Sequence, residues 1–133
     1  MRESIIFYFE DHIDLLIEEL NLYPDEQSVW ALADGIKNCP GNLVYHLVGN
    51  LNHFIGHGIG NTGNERDRPL EFSIKDVPRS ELIQDLQATK VMIREVLSEA
   101  DLEADYPEEL FERPGSFGHF LLKLATHLPY HIG

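Results

Sequence analysis

Apolar residues recur in this chain every three or four positions over long stretches, and nowhere do they alternate with polar residues for the length of a strand. That period belongs to an α-helix with one buried side, so the chain is expected to fold as packed helices. From Glu3 to Leu20 the buried side reads Ile5, Ile6, Phe9, Ile13, Leu16, Ile17 and Leu20, with Glu10, Asp14, Glu18 and Glu19 opposite. Asn21 and Pro24 end that segment. A second helix is expected after "NCPGN", with Asn38 or Asn42 as cap and Pro40 in its first turn, carrying Leu43, Leu47, Leu51 and Phe54. A third starts near Pro78, with Ser80 and Glu81 in its first turn and Leu82, Ile83, Leu86, Ile93, Val96 and Leu97 as its stripe. A fourth starts near Ser116 and runs through Phe117, Phe120, Leu121, Leu124 and Leu128.

The intervening stretches are polar. "YPDEQSVWALADGIKN" reads as a loop or broken helical turn with Trp30 as its anchor, and "ADLEADYPEELFERPGS" as a second loop. "GNTGNERDRPLEFSIKD" is too rich in turn formers to be read as helix, and it is long for a loop. Four helices in 133 residues imply one domain, 1–133, of the all-α class. The architecture they suggest is a four-helix bundle with a long crossover between helices 2 and 3, which would set neighbouring helices parallel there.

Ten basic against 23 acidic residues give a net charge of −13, which argues against a nucleic-acid partner because phosphate binding needs basic surface. The acidic residues are interspersed rather than gathered in a tail, as on a solvated surface. No uninterrupted apolar run reaches membrane-spanning length, and the apolar start after Ser4 is broken by Glu10, Asp11 and Asp14, unlike a signal peptide. A single cysteine, Cys39, allows no internal disulfide and fits a reducing cytoplasm. Cys39 also precedes Pro40 at a helix start, where a thiolate would be favoured, but a lone cysteine beside a cap is more often simply packed.

The chemistry-bearing residues are the histidines. His127 and His131 continue the 117, 120/121, 124, 128 spacing of the fourth helix and so are expected to face the bundle. Two imidazoles four residues apart can converge on one metal ion at about 2.0–2.1 Å, or can be ordinary hydrogen-bonded core residues. Pro129 between them crowds the carbonyl of Ala125. It either kinks the helix and sets the angle between the rings, or is merely tolerated near a helix end. Helix 2 offers His46, His53 and His57 along one face, with Asn50 between. His46 sits beside the core stripe, whereas His53 and His57 lie toward the glycine-rich end, where a polar rim is expected. His12 and His119 have no partner at ligand spacing and read as structural. Neither His-Glu-x-x-His nor Gly-x-Ser-x-Gly occurs, no Glu stands three residues before a histidine, and "GHGIG" lacks the strand and the Gly-Lys-Ser/Thr of a phosphate loop. Arg66 and Arg68 could hold an acidic substrate, or could pair with Asp67, Glu71 or another acidic helix; Glu71 is a candidate base only by nearness in sequence.

"GNLVYHLVGNLNHFIG", "RDRPLEFS" and "HLPYHIG", in this order and spacing, resemble the DinB/YfiT-like superfamily of metal-dependent enzymes, over nearly the whole chain. The resemblance implies a four-helix bundle with the long crossover after helix 2, and commonly a homodimer. It implies that one histidine of helix 2 and the His-x-x-x-His pair of helix 4 bind a divalent metal ion such as zinc, nickel or iron. Carried over, the ligands are His46, His127 and His131. Better-known relatives transfer low-molecular-weight thiols such as bacillithiol, mycothiol or glutathione to electrophiles, while this branch resembles relatives with no assigned activity. In the family the last motif usually runs on for another turn, typically with Gln after the Gly, so the last helix is expected to be cut short at Gly133.

Three neutral histidines leave a divalent charge uncompensated and at least one coordination position open, which is the catalytic rather than the structural pattern. Such a site can activate water, giving a hydrolase, or hold a thiol as thiolate, giving a thiol S-transferase acting on a small-molecule substrate. The competing class is a non-catalytic dimeric bundle that merely binds metal.

Overall fold

A computed structural model describes residues 2–32 and 39–101, and every regular element among them is helical. Asn38 and the whole expected fourth helix, with His119, His127, Pro129 and His131, lie outside the described residues.

The longest elements are α1 (Arg2–Leu22) and α5 (Arg79–Glu99), each of 21 residues. α1 buries Ile5, Ile6, Phe9, Ile13, Leu16 and Leu20, which is the expected stripe with Ile17 left at its edge. α5 buries Leu82, Leu86, Thr89, Ile93 and Leu97. The two run antiparallel and cap one another. Arg2, at the start of α1, donates to the carbonyls of Leu97 and Ala100 at the end of α5. Arg79, at the start of α5, donates through one guanidinium nitrogen to the carbonyls of Leu20 and Tyr23, both at 2.9 Å. Helix C-termini leave carbonyls without intrahelical donors and carry partial negative charge, so an arginine from the neighbouring helix satisfies both needs. Along the outside of the pair, Lys90 meets Asp14 at 2.7 Å and Arg94 meets Glu10 at 2.8 Å. The hydrogen bond from Arg94 holds the Glu10 carboxyl below the usual carboxylate range, against a smaller opposing effect of burial.

After α1 comes the short α2 (Glu26–Val29), in the stretch read as a loop or broken helical turn. Asp25 and Ser28 close a capping box around its first turn. Trp30 is the anchor that its size suggested: it is buried, and its indole N–H donates to the carbonyl of Val77 at 3.0 Å. Its ring lies flat against Gly41, where any Cβ would come within 2.7 Å of three ring carbons.

α3 (Pro40–Leu51) continues without a break into a π-helical turn, Asn52–His57. Its core residues are Val44, Leu47, Leu51 and Ile55, rather than the expected Leu43 and Phe54 at the two ends. Both sets mix one three-residue step with fours, but at about 100° per residue the buried set is centred about 50° round the helix from the expected one. Asn42 is not a cap either. Cys39 occupies the N-cap position without a side-chain bond to the helix backbone, and Asn42 is buried one turn inside. On the far side, Asn52 donates at 3.0 Å to the hydroxyl of buried Thr89, which donates in turn to the carbonyl of Asp85, tying α3 to α5.

The largest departure from expectation is in residues 60–76. Six of them, Arg68–Ser73, form a helix, α4. The turn formers end at Asp67, whose side chain caps α4 by accepting the Leu70 N–H at 3.1 Å, and Pro69 fits its first turn. α4 packs on α3, and that contact creates the site.

Candidate functional site

Helices as short as α4 are marginal in water on their own, so its position comes from what it inserts into α3. The inserted group is Glu71, which is 4 % exposed although it is a carboxylate. It enters because Gly49 has no side chain: a Cβ there would lie 1.9 Å from Glu71 Oε2 and 2.7 Å from its Cδ. A buried carboxylate has to be partnered, and three contacts do so. Arg66 donates from Nε to Oε2 at 2.7 Å and from a terminal nitrogen to Oε1 at 3.0 Å, the two-pronged geometry that a planar guanidinium suits. His46 Nδ1 lies 3.1 Å from Oε1. The same terminal nitrogen of Arg66 stands 3.4 Å from His46 Nδ1. Side chains of both Arg66 and His46 are 12 % exposed, so the whole group is withdrawn from solvent. Phe72, next along α4, lies over the His46 ring with centroids 5.3 Å apart and planes tilted by 35°.

Beneath this cluster a second polar group holds the backbone of α4. The side-chain amide of Asn42 donates to the carbonyls of Glu71 and Ile74, at 3.1 and 2.9 Å. Its oxygen accepts from Lys75 Nζ at 2.7 Å and from the Cys39 thiol at 2.8 Å. Cys39 is therefore a buried packing residue with its proton engaged, not an exposed nucleophile.

The other two histidines of this face are set differently from the polar rim expected of them. The π-helical turn carries i→i+5 bonds, from the N–H of Gly58 to the carbonyl of His53 and from that of Gly60 to Ile55, at 3.0 and 3.1 Å. It stacks the rings of His53 and His57, with centroids 6.2 Å apart and planes 23° from parallel. Both rings are half-buried, and among the described residues their enclosed Nδ1 atoms find no hydrogen-bond partner. Burial lowers the pKa of His53 below the ordinary histidine value, assisted by the positive charge of Arg66. His12 is structural, as expected, with Nδ1 against the carbonyl of Tyr8 at 2.9 Å.

Of the three ligands implied by the resemblance, His46 falls in this buried cluster, and His127 and His131 lie outside the described residues. Among the described residues no group of three or more His, Cys, Asp and Glu side chains could hold a metal ion. Glu71 reaches His46 where sequence offered only nearness, and Arg66 pairs with Glu71, one of the alternatives left open for it. Gly49, Asn42 and Lys75 were missed. The available signal was a glycine in the middle of an amphipathic helix, which costs about 1 kcal/mol relative to Ala and so implies a close approach. Compared with protein-family models, with curated proteins and with solved structures, the chain finds no match.

Proposed function

We propose that the protein is a metal-dependent enzyme whose open site is formed by His46, His127 and His131, and that it transfers a low-molecular-weight thiol to an electrophilic small molecule. The observation that carries this reading is the setting of His46. Its ring is withdrawn from water and backed at Nδ1 by a buried carboxylate. Metal-ligating histidines characteristically give their second nitrogen to a carboxylate in this way. The donor set therefore fits a divalent ion such as zinc, nickel or iron as far as its helix-2 member goes. When bound, the ion would supply a positive centre able to keep a thiol deprotonated near neutral pH. The protein's own part is to hold the His46 ring in place and, through Arg66, to keep positive charge beside the site.

The fold proposed with it is the four-helix bundle of the DinB/YfiT-like superfamily, in which α1, α3 and α5 are three of the long helices and α4 sits within the crossover. The fourth would be the helix expected from Ser116 onward, which lies outside the described residues. A homodimer is proposed on the same resemblance, and exposed Phe7, Leu15 and Leu22 on α1 are consistent with it.

The test is thiol-dependent consumption of a chlorinated nitroarene or an epoxide. Metal-loaded protein would be screened with glutathione, bacillithiol, mycothiol and coenzyme A. Turnover should vanish with a chelator and return with added metal. Ester or amide hydrolysis without any thiol would put a hydrolase in its place. Silence in both screens, with substoichiometric metal after purification without a histidine tag, would leave a binding protein.

A further inference from the structure

Three donors compete for one carboxylate, and their geometry fixes where the His46 proton sits. Glu71 as a carboxylate has only lone pairs to offer, and Arg66 has only N–H groups. The 3.1 Å contact between His46 Nδ1 and Glu71 Oε1 is therefore made by an Nδ1–H. The rival contact, from Arg66 to Nδ1, would need a lone pair there instead. At 3.4 Å it exceeds the usual range of about 2.7–3.2 Å, and the same Arg66 nitrogen already donates to Oε1 at 3.0 Å. A neutral ring with its proton on Nδ1 has its lone pair on Nε2. The carboxylate itself cannot drift, since Arg66 grips both of its oxygens and the missing Cβ of Gly49 leaves it one place to lie.

We propose that Glu71 is a positioning residue that holds His46 as the Nδ1–H tautomer and so turns the Nε2 lone pair toward the divalent ion. This rests on the metal reading given above, and it adds a role for Glu71, Arg66 and Gly49 that the ligand set alone does not assign.

The experiment uses the full chain labelled with nitrogen-15 at histidine, metal-free and at about pH 8, above the usual histidine range. Long-range proton–nitrogen spectra report the His46 tautomer, assigned by the loss of its signals in His46→Gln. Zinc affinity is measured in parallel by competition with a chromogenic chelator. The wild type should show Nδ1–H. In Glu71→Gln the amide can present either an acceptor or a donor to Nδ1, so the Nε2–H form should appear and zinc affinity should fall about 10- to 100-fold. Should that variant fail to fold, Gly49→Ala keeps every charged group but denies the carboxylate its place, and should move both readouts in the same direction.

An Nε2–H tautomer in the wild type would overturn the proposal. So would Glu71→Gln or Gly49→Ala protein that folds and keeps both tautomer and affinity. An Nδ1–H wild type that binds no zinc would instead overturn the metal reading, while supporting the tautomer assignment.

Discussion

α1 and α5 meet over an apolar seam with their charges on the outside, whereas α3 and α4 meet over buried charges. In the first pair Phe9, Ile13, Leu86 and Ile93 are fully enclosed, and Asp14, Lys90 and Arg94 lie toward solvent. In the second, Glu71, Arg66, His46 and Asn42 are enclosed, and Leu70 and Phe72 are the partly exposed residues. An apolar seam loses stability in proportion to what is removed from it. A buried polar cluster does not: while complete it contributes little net stability, but removing one member strands the others. Stability alone does not account for the second arrangement, since an apolar side chain at position 71 would pack a short helix on α3 without the strain of enclosing a carboxylate. The cluster gains geometry instead, a ring held at one angle, and this is why the functional reading centres on α3 and α4.

The difference can be broken experimentally. Glu71→Ala should have the largest effect, about 3–5 kcal/mol in urea unfolding, because it leaves a guanidinium and an imidazole buried without their acceptor. Phe9→Ala in the apolar seam should cost a similar amount, about 3–5 kcal/mol. The sharper outcome is that Phe9→Ala protein keeps the His46 tautomer and zinc affinity of the wild type. A loss of both there would mean that the two regions are not separable.

A smaller effect is expected from pH. The folded-state pKa of His53 is depressed below 6.5, mainly by burial. On acidification the unfolded chain takes up that proton first, so stability falls as pH drops through about 6.5 toward the folded value. The slope from this one group cannot exceed about 1.4 kcal/mol per pH unit. Comparing unfolding of wild type and His53→Gln at several pH values between 7 and 5 isolates it: the variant should show the shallower dependence. Equal slopes would show that His53 is not held neutral by the fold.

The smallest effect should come from the outer ion pairs. Lys90→Ala removes the bridge to Asp14 and should change stability by no more than about 1 kcal/mol, less in high salt. A loss approaching that of Glu71→Ala would mean that the surface of the α1–α5 pair matters as much as its seam.

How far the sequence disclosed this follows the same division. The apolar seam was legible because burial of aliphatic side chains leaves a helical period, and α1 and α5 begin and end within two residues of where it placed them. Trp30 was legible from its size. The α3–α4 contact was not. Its polar residues have no period, and α4 follows a run of turn formers that masked its six residues. Asn42, one of the two caps that the sequence offered, is a buried clamp because the cap position falls three residues earlier, at Cys39. His46 was separable from His53 and His57 by its place beside the core stripe, but the enclosure of the later pair depends on a π-helical turn, and helical periodicity assumes that every turn is the same size.

That wide turn also bears on how the chain can change by insertion and deletion. A π-turn amounts to one residue inserted into an α-helix. Removing a residue from Asn52–His57 would let the segment relax to α-helix, with the backbone bonds re-formed one position shorter. The residues beyond it would keep the face they have now, whereas the same deletion in the regular part of α3 would turn them by about 100° about the helix axis. The glycines after His57 would keep their direction, and His46, which lies before the turn, would stay with Glu71 and Arg66. The segment 52–57 is therefore where the backbone can absorb a single-codon deletion, losing only the widened turn that stacks His53 on His57.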